Sequence, residues 1–173
     1  KNGTAVVLTN GTKDAFINSM VVAGTDVYAG GGENSTGPYD VAKYWKNGAA
    51  VSLTNGVYNA EIYSMVVSGS DVYAGGYEYN ASITSVARYW KNGAAVSLTN
   101  GTNNAQISSM VVAGIDVYAG GYESNGTKDV AKYWKNGTAV SLTNGTKDAQ
   151  INSMAVVGTD VYAGGYESTA AAP

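Results

Sequence analysis

Carboxylates recur along this chain at fixed offsets. Two such groups a few ångströms apart in unlike surroundings are what glycoside hydrolysis needs, one as acid and one as nucleophile or base. Glu33, Glu78, Glu123 and Glu167 stand just past Gly-Gly pairs, and Asp26, Asp71, Asp116 and Asp160 stand just before the segments that carry those pairs. Equivalent positions receive equivalent surroundings, so these series read as turn chemistry and loop bracing rather than as an acid and a base of different strength. Among the glutamates Glu61 alone falls outside them, at a position held by Phe16, Gln106 and Gln150 elsewhere. The chain contains no histidine and no cysteine. That removes the usual general base at neutral pH, the commonest metal ligand, and any thiolate or disulfide framework. No D-x-[DN]-x-[DN]-G run offers a calcium loop, and "AGGYE" precedes a strand rather than a helix that could face a phosphate. The expectation is a protein that is not an enzyme and holds no metal or cofactor.

Composition points to a neutral polar surface. Charged residues make up 13% of the 173 residues, about half the usual share for a soluble domain, and the net charge is −3. Asn, Ser, Thr, Gly and Tyr must therefore cover what Lys and Glu usually cover. Such a surface suits uncharged ligands and not nucleic acid, which needs basic patches. No apolar run approaches the ~20 residues of a membrane helix. No leader is visible, since Lys1-Asn2-Gly3 opens inside a repeat, so the sequence reads as a mature or trimmed product.

The elements that must position these residues are written four times. Met20, Met65, Met110 and Met154 are spaced 45, 45 and 44 residues apart, and "VAKYWKNG", "VARYWKNG" and "VAKYWKNG" begin at residues 41, 86 and 130. Each unit reads as four short strands, exemplified by "INSMVVAG" (17–24), "DVYAGG" (26–31), "VAKYW" (41–45) and "AAVSL" (49–53). Asn47-Gly48, Asn92-Gly93 and Asn136-Gly137 join the last two, because Asn-Gly tolerates the positive φ of a type I′ turn. In the fourth strand Val51 and Leu53 face one way, Ala50 and Ser52 the other. No segment has helical spacing. Four antiparallel strands per ~45 residues predict an all-β chain, a β-propeller of four blades in a single domain over 1–173. The repeats run approximately 1–45, 46–90, 91–134 and 135–173, the last incomplete; a β-trefoil has units of similar length but uses three.

The stretch "DVYAGGYESNGTKDVAKYW" (116–134) resembles the kelch family of propeller repeats. Gly30-Gly31, Gly75-Gly76, Gly120-Gly121 and Gly164-Gly165 match its doublet, and Tyr44, Tyr89 and Tyr133 its strand tyrosine. Trp45, Trp90 and Trp134 depart from it, following the tyrosine directly, and the "YWKNG" form is closer to repeats of secreted bacterial propellers. The resemblance implies a propeller and a secreted or cell-surface location. On physical grounds the doublets should admit a bulge or a close backbone approach, and the Tyr-Trp pairs should pack between blades.

The chain enters at a fourth strand and leaves after a second, so ring closure should be shared between the N- and C-terminal strands. The third strand of that blade is missing. Residues before Lys1, the tail 168–173, or a second chain in a homo-oligomeric ring could supply it. Variation gathers in the loops joining strands two to three and four to one, which share one face of a propeller. Loops on a rigid frame are where binding usually resides. The expected activity is that of a binding module, lectin-like, recognising neutral carbohydrate with Tyr63, Tyr77, Tyr122, Tyr166, Glu61, Gln106, Gln150 and Asn152. Sugar hydroxyls suit amides and sugar faces suit aromatics. The alternative is a structural or protein-interaction propeller, or a fragment of a larger secreted protein, without a small ligand. The partners are accordingly a glycan or a protein.

Overall fold

A computed structural model describes residue 3 and residues 5–169. These residues form strands and connections and contain no helix, so none is long and apolar enough to cross a membrane. Fourteen strands build four antiparallel sheets. The first holds β1 (Ala15–Ala23), β2 (Asp26–Asn34), β3 (Asp40–Lys46) and β4 (Ala49–Ser52) in sequential order. The second repeats it with β5 (Ala60–Ser68), β6 (Asp71–Tyr79), β7 (Ser85–Lys91) and β8 (Ala94–Ser97). The third uses β9 (Ala105–Ala113), β10 (Asp116–Ser124), β11 (Asp129–Lys135) and β12 (Thr138–Ser141). The fourth has two strands, β13 (Ala149–Val157) and β14 (Asp160–Glu167).

Local chemistry explains the hairpins. Asn47, Asn92 and Asn136 adopt φ near +50°, each followed by a glycine also at positive φ, as the Asn-Gly pairs required. The asparagine side chain does a second job. Asn47 Oδ1 accepts from the Val27 amide at 2.9 Å while its Nδ2 donates to Asp26 at 2.8 Å, and Asn92 and Asn136 do the same with the second and third sheets. Lys46, Lys91 and Lys135 complete the brace, pairing with Asp26, Asp71 and Asp116 while lying 5.3 Å from the ring centres of Tyr28, Tyr73 and Tyr118. Asp26, Asp71 and Asp116 are thus turn braces. The glutamates after the doublets are strand residues instead: Glu33, Glu78 and Glu123 pair with Lys43, Arg88 and Lys132 on the neighbouring strand.

The glycine doublets lie inside the second strand, which continues past them to Asn34, Tyr79 and Ser124, rather than at its end. Both physical reasons for a doublet hold, one for each glycine. A Cβ on Gly31, Gly76, Gly121 or Gly165 would collide with the backbone carbonyl of Phe16, Glu61, Gln106 or Gln150. That carbonyl sits beside a β-bulge in the first strand, where Asn18, Tyr63, Ser108 and Asn152 drop out of the register. A Cβ on Gly30, Gly75 or Gly120 would instead strike Met65, Met110 or Met154 of the next sheet.

Those contacts define how sheets stack. Between the first and second sheets, Tyr28 and Ala42 meet Ile62, Met65, Ala74 and Trp90 in a buried cluster. Tyr73 and Ala87 meet Ile107, Met110, Ala119 and Trp134 in the next. Tyr118 and Ala131 meet Ile151 and Met154 in the third. Ser19, Ser64 and Ser109 fasten each seam, their hydroxyls accepting the amides of Met65, Met110 and Met154 at 2.9–3.1 Å. The Tyr-Trp pairs are packing residues, with Trp90 and Trp134 each 1% exposed.

The expected joining of the two termini in one sheet is not seen. Residues 5–8 are not a strand, and β14 has no partner besides β13 among the described residues. A strand equivalent to β3 would have to stand between them, and none stands there among the described residues. Part of the tail expected to help, residues 170–173, lies outside the described residues.

Candidate functional site

Each first strand carries its bulge near the end at which the longer connections meet. There the β6–β7 loop reaches the β8–β9 loop, Asn80 donating to the Gly101 carbonyl at 2.9 Å, and Asn125 repeats the contact with Gly145 at 3.0 Å. These asparagines belong to Asn-x-Ser/Thr tripeptides, yet their side chains serve the loops. The two variable loop sets are therefore neighbours, as the propeller reading expected.

A bulge leaves one residue without a cross-strand partner and redirects its side chain. The four bulged residues, Asn18, Tyr63, Ser108 and Asn152, differ in every sheet but two, while the flanking Ile and Ser-Met are constant. The side chains of Asn18 and Ser108 link successive sheets. Asn18 Nδ2 donates to the Ile62 carbonyl at 2.9 Å, and Gln150 Nε2 donates to Ser108 Oγ at 2.8 Å. Asn152 is exposed and Gln106 half-buried.

The second sheet concentrates the chemistry. Tyr77 is paired across the ladder with Glu61; its hydroxyl donates to Glu61 Oε1 at 3.0 Å and accepts from Asn59 Nδ2 at 2.9 Å. Tyr63 stacks on Tyr77 with ring centres 6.1 Å apart, and Tyr79 tilts against Tyr77 at 5.3 Å. Burial, followed by the charge of Glu61 and a hydrogen bond to it, pushes the Tyr77 hydroxyl well above the ordinary tyrosine range. Tyr63 moves the same way, from burial first and then its hydrogen bond to Glu61. Both stay protonated donors at any physiological pH. Glu61 makes no ion pair among the described residues; tyrosine hydroxyls brace it where cations brace Glu33, Glu78 and Glu123. Asp40 of the adjacent sheet lies close enough that burial and the Glu61 charge together hold its carboxyl above the ordinary 3.8.

The eight candidate residues do not form one site. Glu61, Tyr63 and Tyr77 come together, and Tyr122 adjoins them, its hydroxyl raised by burial and then by Asp129, Tyr79 and Tyr166. Tyr77 is 7% exposed and serves as the wall behind Tyr63 rather than as a platform of its own. Tyr122 is half-buried, and Tyr166 is 50% exposed because no further sheet among the described residues covers it. In the first sheet the tyrosine is replaced by Gly32, and the ring of Phe16 fills the space a side chain there would occupy. Asn59, Tyr79 and Asp40 were not among the sequence candidates. Asn59 lies where other copies have Asp14, Asn104 and Asp148, and its polar constancy was a usable signal. Tyr79 had none, since Asn34, Ser124 and Ser168 replace it. No group of carboxylates among the described residues is arranged to hold a metal ion.

Comparison of the chain with protein-family models and with curated protein sequences finds no match.

Proposed function

We propose that this chain is a non-enzymatic binding module of the β-propeller type, secreted or held at a cell surface, that recognises neutral carbohydrate through the bulged first strands. The observation that carries the reading is the bulge itself: every copy spends it on the same position and fills that position with Asn, Tyr or Ser. At the second sheet it sets Tyr63 against a fixed aromatic wall beside an unpaired carboxylate. A sugar needs such a pairing, an aromatic face for its C–H face and a strong acceptor for adjacent hydroxyls. Gln106, Gln150 and Asn152 supply amides along the same row. Glu61 acts here as a hydrogen-bond acceptor and not as a catalytic acid.

Screening the purified chain on an array of neutral and charged glycans tests this. Binding confined to neutral glycans, reduced by Tyr63→Ala, is expected. An empty array would favour the second reading, a protein-interaction scaffold, for which the exposed outer faces of the first and fourth sheets speak.

A further inference from the structure

Three seams inside the molecule are built from the same parts, and both halves of a fourth seam are present without each other. At each internal seam one sheet offers a glycine, a serine hydroxyl and a tyrosine, and the next inserts methionine and isoleucine, backed by alanine and tryptophan in the first two seams. The fourth sheet carries the first half in Gly164, Ser153 and Tyr162, and a Cβ on Gly164 would meet nothing within 4 Å. The first sheet carries the second half in Ile17, Met20, Ala29 and Trp45. Ile17 and Met20 are 43% and 69% exposed above a buried Ala29 and Trp45, whereas Met65, Met110 and Met154 are 6%, 5% and 9% exposed.

Two cavities among the described residues fall on these faces. A cleft of 760 Å³ is lined by Met20, Val22, Val27, Ala29 and Trp45, whose counterparts Met65, Val67, Val72, Ala74 and Trp90 all pack in the first seam. Leu8 lines the same cleft, as its counterpart Leu53 lines the first seam. A hollow of 480 Å³ is lined by Ser153, Ala155, Tyr162 and Gly164, the counterparts of Ser19, Val21, Tyr28 and Gly30. Exposed apolar faces of this kind mark association sites.

We infer that these faces bind each other between molecules, so that the fourth sheet of one copy of this chain seats Met20 and Ile17 of a second copy. The occupant is a second copy because the required surface is written in this chain and its own two faces stand apart in this structure. The contact is heterologous, head to tail, and propagates into a closed ring or a longer array. It is independent of carbohydrate binding.

Sedimentation equilibrium over a wide concentration range tests the inference, with Gly164→Val as the variant. A Cβ at that position meets nothing within 4 Å in one chain, whereas at Gly30, Gly75 and Gly120 it strikes the next sheet's methionine, so valine would collide with an incoming Met20. The wild type should show at least twice the 17.7 kDa of one chain. Gly164→Val should associate roughly tenfold more weakly or worse, with an unchanged circular-dichroism spectrum, as expected for loss of a central contact. Met20→Asp should act likewise, and Ile115→Ala, in an exposed hairpin of the third sheet, should not. A wild type that stays at 17.7 kDa throughout would overturn the inference, and so would self-closure, seen as monomeric mass with a lower melting temperature for Gly164→Val. Undiminished association of both face variants would overturn it as well.

Discussion

Asp40 and the second glycine of each doublet show how single residues are constrained here. Burial and the Glu61 charge raise the Asp40 carboxyl above its unfolded value, so the folded state disfavours its ionised form. The stability it confers is full below pH 3.8 and is lost as pH rises through the higher folded value. Asp40→Asn should therefore melt above the wild type at pH 7 and together with it at pH 3. A shift of the same size at both values would show that the charge is not responsible. Gly76→Ala places a methyl against the Glu61 carbonyl, which cannot move without undoing the bulge. Its unfolding midpoint in urea should correspond to a loss of about 1–3 kcal/mol, the range for overpacking. The doublet was legible as a site of bulge or close approach. Which glycine served which purpose was not, because the clashing carbonyl and methionine lie 15 and 34–35 residues away in the chain.

At the scale of elements, strands and hairpins were legible because they depend on neighbours in sequence. Alternation at Val51 and Leu53 and the Asn-Gly turns specify β4 and its hairpin locally. The seams were only partly so: the spacing of Met20, Met65, Met110 and Met154 marks a repeat but does not say that each methionine packs on the preceding copy's glycine. Trp90→Ala should cost about 3–5 kcal/mol, as for other buried tryptophans. The sharper test compares equivalent methionines. Met110→Ala should lose about 2–5 kcal/mol, because Met110 fills the seam at Gly75, whereas Met20→Ala in dilute solution should change little. Equal effects at the two positions would contradict the seam as the unit of stability.

For the whole molecule, the all-β class could be read from the sequence pattern alone, and which candidate residues the fold brings together could not. Periodicity identified the positions that vary, but the tyrosines after the doublets look alike in sequence and differ in the fold. Tyr77 is spent as a buried wall, Tyr122 is half-buried and Tyr166 borders an open face, since among the described residues sheets cover the first two and none covers the third. A Tyr77 substitution would thus confuse stability with binding, and Tyr63 is the residue to remove. The most direct test is calorimetric titration of the wild type and of Tyr63→Ala/Asn152→Ala with one neutral glycan, in monovalent and multivalent form. Shallow sites of this kind predict millimolar to high-micromolar affinity for the monovalent form. The multivalent form should gain about 10²–10⁴ in avidity, and the double variant should lose most of it while melting as a folded protein. Equal binding by the wild type and the variant, or no heat from either with any glycan, would contradict the account.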